Sequence, residues 1–147
     1  MIDKIKSELF KQYKNDDIKG MFFSLFDKNK KLLVSSGVVK TDKTMDQLID
    51  TFYASVISKY QNTKTVIVDL IKDLNQETDL TKMLNFDVKE YGFCLIHVED
   101  GKTGAVLPNT QGIKNVKEAL TYIKKKNQIN GNVEIYSFKT DRVIISV

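Results

Sequence analysis

Hydrophobic residues recur with two different periods along the first part of the chain. In residues 2–13 they lie three or four positions apart, which predicts a helix that ends near residues 15–17. Two apolar runs, 20–26 and 32–39, then flank the polar tetrapeptide Asp27-Lys28-Asn29-Lys30. Two short apolar runs joined by a polar turn are typical of a β-hairpin.

The helical period returns after residues 41–44, a segment rich in side chains that cap helices. Apolar residues recur at three- and four-residue spacing over 45–60, which predicts a helix of about four turns. Residues 65–71 are β-branched and apolar, as expected of a buried strand. A short helix is predicted within residues 77–85.

A second hairpin is predicted further along, where residues 91–98 and 103–107 flank an Asp-Gly turn at Asp100-Gly101. Pro108 ends the second of these strands, because proline lacks the N–H donor that a central ladder requires. Helical spacing then runs over residues 113–123.

The C-terminal part of the chain contains two further apolar runs, 133–139 and 142–147, which predict strands bent at Thr140-Asp141. The whole pattern amounts to about three principal helices and seven strands. Hairpins dominate and helices do not alternate regularly with strands. We therefore expect an α+β fold with a mixed or mainly antiparallel sheet and flanking helices.

Composition agrees with one compact domain over residues 1–147, because 41% of the residues are hydrophobic and 29% are charged. Cys94, the single cysteine, cannot form an internal disulfide, which favours a reducing compartment. No window approaches the ~20 consecutive apolar residues of a membrane-spanning helix. Residues 1–4 carry charges where a secretory leader would be apolar. We expect a soluble, cytoplasmic protein without a membrane partner.

The net charge of +4 raises nucleic-acid binding as one possible function. However, Arg142 is the only arginine among the 23 basic residues, and arginine is the residue suited to bidentate contacts with phosphate and guanine. The lysine runs at residues 28–31 and 124–126 fall in a predicted turn and at a predicted helix end, where cations are favourable. These lysines are therefore interpreted as solvated surface, and we expect weak or no specific binding to nucleic acid.

Residue chemistry indicates no catalytic constellation, cofactor or metal site. His97 is the only histidine, and Cys94 lies within an apolar strand as a core residue would. The Gly101-Lys102-Thr103-Gly104 run leads from a turn into a strand, so it lacks the loop-to-helix geometry that binds phosphate. Catalysis would need a different centre, and Ser35 or Ser36 could supply a nucleophile if a base lay next to its hydroxyl.

Several runs along the chain resemble the motifs of one family. They are Gly20-Met21-Phe22-Phe23-Ser24-Leu25, similar to "GVFVTL", Val66-Ile67-Val68-Asp69-Leu70, similar to "IEVSVL", Tyr91-Gly92-Phe93, similar to "HGV", Gly104-Ala105-Val106-Leu107-Pro108, similar to "SGTFLPQV", and Ile135-Tyr136-Ser137-Phe138, similar to "LYRFE". Their order and approximate spacing resemble those of AMMECR-type domains, named after the Alport syndrome, midface hypoplasia and elliptocytosis region. The resemblance extends over nearly the whole chain.

The family's "ELRGCIG" signature is largely replaced. Lys31, Leu32 and Gly37 fall where that signature lies, but residues 33–36 read Leu-Val-Ser-Ser, without the arginine and the cysteine. The family's "DPRF" segment is also missing between Tyr60 and Thr65. The resemblance therefore implies a shortened, divergent member.

The resemblance implies an α+β fold with a central antiparallel sheet, in a family without an established biochemical activity. Prokaryotic relatives are often encoded beside Memo-like and radical-SAM proteins, which implies a shared pathway. We expect a non-catalytic binding or adaptor module, with another protein as its partner and a small-molecule ligand left open. The candidate binding surface comprises Leu33, Ser35, Ser36, Gly37, Leu107, Pro108 and Asn109. The alternatives are an enzyme centred on Ser35 or Ser36 and a weak nucleic-acid-binding protein.

Overall fold

The computed structural model describes residues 1–147 and contains four α-helices, one 3₁₀ turn and six strands. In chain order these elements are α1 (Ile2–Leu9), β1 (Met21–Phe26), β2 (Leu32–Val38), α2 (Met45–Ser55), the 3₁₀ turn (Ile57–Lys59), β3 (Thr65–Glu77), α3 (Leu80–Met83), β4 (Gly92–His97), β5 (Thr103–Val106), α4 (Val116–Asn127) and β6 (Val133–Ser146). The strands are hydrogen-bonded in the order β2-β1-β3-β6-β4-β5. Strand β1 is antiparallel to β2 and β3, and β4 is antiparallel to β5 and β6. The predicted α+β class is confirmed.

The chain forms two compact units, the first from Met1–Leu70 and Asp141–Val147 and the second from Ile71–Thr140. In the first unit, side chains of α1 and α2 pack on one face of β1 and β3. Along β1, buried residues alternate strictly with half-buried ones. The buried members of this core are Ile5, Leu9, Met21, Phe23, Leu25, Met45, Leu48, Ile49, Ile57, Val66, Val68, Leu70 and Ile145.

The N-terminus of α2 is capped by side-chain and main-chain groups. Thr44 and Gln47 form a capping box, in which each side chain accepts a hydrogen bond from the other residue's backbone N–H. The carbonyl of Asp17 accepts a further bond from the N–H of Met45 at 2.8 Å. The capping segment predicted at residues 41–44 is thus confirmed at Thr44, and the first turn of the helix has its donors satisfied.

In the second unit, α4 packs against β4 and β5. Its core contains Met83, Val88, Phe93, Leu95, Val106, Val116, Ala119, Ile123 and Ile129. Gly104 makes the close approach of α4 to β5 possible, because a Cβ atom at this position would lie 2.2 Å from Asn127 Nδ2 and 2.7 Å from Ile123 Cγ2. Three lysines occupy the last turn of α4, as predicted for residues 124–126.

Two predicted helices are shorter in the structure. The first ends at Leu9 instead of near residues 15–17, because the chain turns there and the main-chain carbonyls of Asn15 and Asp17 accept hydrogen bonds from the start of α2. The helix predicted over 45–60 is α-helical only to Ser55 and then continues as the 3₁₀ turn. The short helix predicted within 77–85 is a single turn, α3.

Two predicted strands are longer in the structure. Strand β3 continues past residue 71 to Glu77. The prediction of two strands over 133–139 and 142–147 is wrong, because β6 runs unbroken from Val133 to Ser146. The chain therefore has six strands instead of seven. Both long strands lie inside the hydrogen-bonded order, with a neighbour on each side, so pairing with strands distant in sequence continues them past residues that favour a turn. Asp73 still has a left-handed backbone within β3, with φ of 52°.

We expect Gly104→Ala to destabilise the protein, although alanine is usually more favourable than glycine within a strand. The new methyl group would have to displace the side chain of Asn127, which donates a hydrogen bond to the carbonyl of Ile123 at 2.9 Å. The expected loss is about 1–3 kcal/mol in the free energy of unfolding, as for other overpacked sites. Denaturant titration measures it, with Thr103→Ala on the exposed neighbouring residue as the control. A more stable Gly104→Ala variant would contradict the close packing of α4 on β5.

Candidate functional site

The predicted binding residues of the first unit lie on β2, the outermost strand of the hydrogen-bonded order. Leu33 is half-buried and packs against the core of this unit. Ser36 is opposite the buried Phe23, so its side chain lies on the core face. Ser35 is exposed. Strand β2 thus offers an edge and an outer face of the sheet, and its exposed residues are not covered by a helix.

The main-chain groups of Ser35 and Gly37 point away from β1. The carbonyl of Phe26 accepts a hydrogen bond from Lys64 N at 2.8 Å, so the even-numbered residues of β1 direct their main-chain groups toward β3. The odd-numbered residues of β1 consequently pair with β2, and their partners include Ser36. Between those paired positions, Ser35 and Gly37 direct N–H and C=O outward, where no group of the protein hydrogen-bonds them.

The outer face at β2 is shaped by two contacts with β1. The hydroxyl oxygens of Ser24 and Ser35 are 3.2 Å apart and share a hydrogen bond. Phe22 lies against Gly37, where a Cβ atom would be 2.4 Å from the ring. Only glycine leaves room for this aromatic side chain. The ring packs over Gly37 and so stabilises a strand that glycine would otherwise weaken.

The hydrogen bond of the Ser35 hydroxyl is relevant to the alternative function, an enzyme that uses this serine as its nucleophile. A serine nucleophile needs a base that takes the hydroxyl proton. The side-chain partner of Ser35 is the hydroxyl of Ser24, which is not such a base. The only histidine, His97, has its Nδ1 atom 2.7 Å from Asp100 Oδ1.

The other predicted residues, Leu107, Pro108 and Asn109, follow β5 in the second unit. Leu107 and Pro108 are half-buried, whereas Asn109 is exposed and adopts a left-handed conformation with φ of 58°. The Thr110 hydroxyl donates to the carbonyl of Leu107 at 2.7 Å, and the Asn109 N–H donates to the carbonyl of Val88 at 2.8 Å. These bonds give the loop a defined shape within its own unit.

The ion pair between Asp69 on β3 and Arg142 on β6 is not among the sites predicted from the sequence. Arg142 Nε donates to Asp69 Oδ1 at 2.9 Å, and Arg142 Nη2 donates to Asp69 Oδ2 at 3.1 Å. The side chain of Asp69 is 1% exposed and that of Arg142 is 53% exposed. The hydrogen bond to Asp69 raises the pKa of Arg142 further above its ordinary range. Two signals pointed to the pair: an aspartate within an apolar strand, and the only arginine of the chain.

The His97–Asp100 pair belongs to the turn between β4 and β5. Asp100 Oδ1 also accepts a hydrogen bond from the Lys102 N–H at 3.0 Å. This backbone bond, and secondarily the bond with His97, lowers the pKa of Asp100. The arrangement stabilises an exposed turn, as expected of aspartate before glycine.

Cys94, predicted as a core residue, is buried at 3% exposure. No group of three or more His, Cys, Asp or Glu side chains is arranged to hold a metal ion. None of the helices combines the length and the apolar character needed to cross a membrane.

No family model and no curated protein matches this chain. The fold is similar to that of the uncharacterized protein PH0010 from Pyrococcus horikoshii, known from its crystal structure, with a TM-score of 0.71 and 13% sequence identity. The similarity covers 97% of this chain and 86% of that chain. The two proteins therefore share an α+β architecture over nearly their full lengths. At 13% sequence identity, this similarity shows a shared fold alone.

We expect Arg142→Met to destabilise the protein by about 2–3 kcal/mol, because it leaves the buried carboxylate of Asp69 without its partner. Thermal or denaturant unfolding measures the loss. In the double variant Asp69→Val/Arg142→Met, removal of both charges should restore most of the stability. Equal losses in the single and the double variant would show that the unpaired charge of Asp69 is not the cause of the destabilisation.

Proposed function

We propose that this chain is a cytoplasmic, non-catalytic binding module of AMMECR type, and that it binds a protein partner along the open edge of β2. The observation that carries the proposal is the outward direction of the main-chain groups of Ser35 and Gly37 on an edge strand. An edge of this kind can accept an extended segment of a partner as an additional strand. The main chain then supplies affinity, and side chains on alternate positions supply selectivity.

The family assignment is supported by the position of its motifs. The runs that resemble family motifs coincide with β1, with residues 66–70 of β3, with β5 and the following Pro108, and with residues 135–138 of β6. The position of the lost "ELRGCIG" signature is β2 itself. We therefore propose that β2 kept its place in the fold while its side-chain chemistry changed to that of a binding surface, and that the partner acts in the pathway of the Memo-like and radical-SAM proteins.

Charge around β2 favours a different protein over a second copy of this chain. Lys28, Lys30 and Lys31 are exposed beside the start of the strand. Parallel pairing of two β2 strands would bring these lysines of one copy next to those of the other. Like charges at facing positions are destabilising. The fitting partner is an extended segment flanked by acidic residues.

The sharpest variant pair is Ser35→Pro and Ser35→Ala. Both remove the hydroxyl that bonds Ser24, but only proline removes the outward N–H. Proline is tolerated on an edge strand where its missing donor would face solvent, so we expect both variants to fold. We expect Ser35→Ala to retain a partner that the unmodified protein captures, and Ser35→Pro to lose it. Affinity capture at near-native concentration, compared across the three proteins, measures the difference.

A second measurement tests the mode of binding directly. In the captured complex, the amide hydrogens of Ser35 and Gly37 should exchange with solvent more slowly than in the protein alone, because they become donors in a new ladder. Equal capture by Ser35→Pro, or unchanged exchange at both amides, would contradict strand addition. Turnover of a metabolite, with no protein partner recovered, would contradict the binding module and favour an enzyme.

A further inference from the structure

The guanidinium of Arg142 is held in one orientation by its hydrogen bonds with Asp69. Its guanidinium makes two parallel hydrogen bonds with Asp69, at 2.9 and 3.1 Å. A planar guanidinium held at two points has a fixed position and a fixed direction. The nearly complete burial of Asp69 anchors this arrangement in the sheet, since its side chain is 1% exposed.

Asp69 uses only one edge of the guanidinium. Of its five N–H donors, one on Nε and one on Nη2 are directed at Asp69, and the other three have no partner in the protein. The side chain of Arg142 is 53% exposed, so these donors are accessible to solvent. The two terminal nitrogens, Nη1 and Nη2, form the Nη1–Nη2 edge of the guanidinium. This edge has the spacing that a carboxylate or a phosphate needs for a second bidentate contact.

The surroundings of Arg142 belong to the outer face of the first unit. Asp69 is opposite Phe22 in the β1–β3 register, and Phe22 lies on the face away from the helices. Ile144 is two residues from Arg142 and is 66% exposed, whereas Ile145 is buried in the core. Arg142 and Ile144 therefore face solvent together, with an apolar side chain beside the charged one.

We propose that the Nη1–Nη2 edge of Arg142, oriented by Asp69, is a binding site for a carboxylate. The charge of the pair favours a carboxylate over a phosphate, because the site with Asp69 included is neutral. A monoanion is repelled by Asp69 less than a phosphate dianion, whose charge at neutral pH is close to −2. The carboxylate can belong to a small organic acid or to a polypeptide. This site lies on side chains of the outer face and does not depend on strand addition at β2.

The protein offers a direct probe, because its single arginine gives a single Nε–H signal in a ¹⁵N-correlated NMR spectrum. Titration with sodium acetate should shift this signal saturably, with a dissociation constant of about 10–100 mM, in the range of one charge-assisted contact. Sodium chloride at the same ionic strength should not. A shift that is linear in acetate, or equal with chloride, would overturn the proposal and leave Arg142 as a structural residue only.

A matched pair of peptides distinguishes the two sources of the carboxylate. N-acetyl-triglycine with a free carboxylate should shift the Nε–H signal, and its C-terminal amide should not. Binding of the free acid about fivefold tighter than acetate would assign the site to polypeptides, since additional contacts then contribute. Similar affinities would assign it to small acids. An equal shift by the amide would overturn the proposal.

Variants test the planar geometry independently. Arg142→Lys keeps the charge but loses the two-point contact, so its affinity for acetate should fall about tenfold, as followed by the backbone amide signals of residues 22 and 144. Lys59→Gln removes one exposed positive charge from the first unit, outside both proposed sites, and should leave the affinity unchanged. Unchanged binding by Arg142→Lys would show that charge alone attracts the anion, and would overturn the proposal.

Discussion

Alternation along β1 is the constraint on which the first unit depends. In an extended strand, side chains point alternately to the two faces of the sheet, and the main-chain groups of antiparallel strands point alternately to the two neighbours. In β1 both alternations coincide, because Met21, Phe23 and Leu25 fill the core while their main chains pair with β2. Phe22 and Ser24 occupy the outer face and pair with β3.

The same alternation determines the properties of the two candidate surfaces. With the odd-numbered residues of β1 committed to β2, the outward donors and acceptors of β2 fall at Ser35 and Gly37. With Phe22 on the outer face, Asp69 lies there as well, although it is a charged residue within an apolar strand. A one-residue shift in register would move Asp69 into the helix-covered core, where its charge would have no partner.

Local signals in the sequence predict those parts of the fold that local interactions determine. Both hairpins have polar turns, and the Thr44 capping box marks the start of α2. The strand lengths of β3 and β6 were not predictable in this way. Their polar segments, around Asp73 and Asp141, carry a turn signal, and at Asp73 the backbone is left-handed with φ of 52°. Both strands nevertheless continue through these segments, because each has a neighbour on both sides that lies far away in sequence.

The site was predictable to a similar extent. The pairing of β1 with β2 follows from the hairpin pattern, but the edge position of β2 does not, because it depends on the pairing of β1 with β3, which lies about 45 residues further along the chain. Asp69 and Arg142, in contrast, are separated by 73 residues, and no local pattern links them. The chemistry of each residue was still informative: a carboxylate in a buried strand requires a donor, and in a lysine-rich chain the lone arginine is the donor with a planar, bidentate fork. The requirement that a buried charge has a partner can therefore predict a pair that the hydrophobic periodicity cannot.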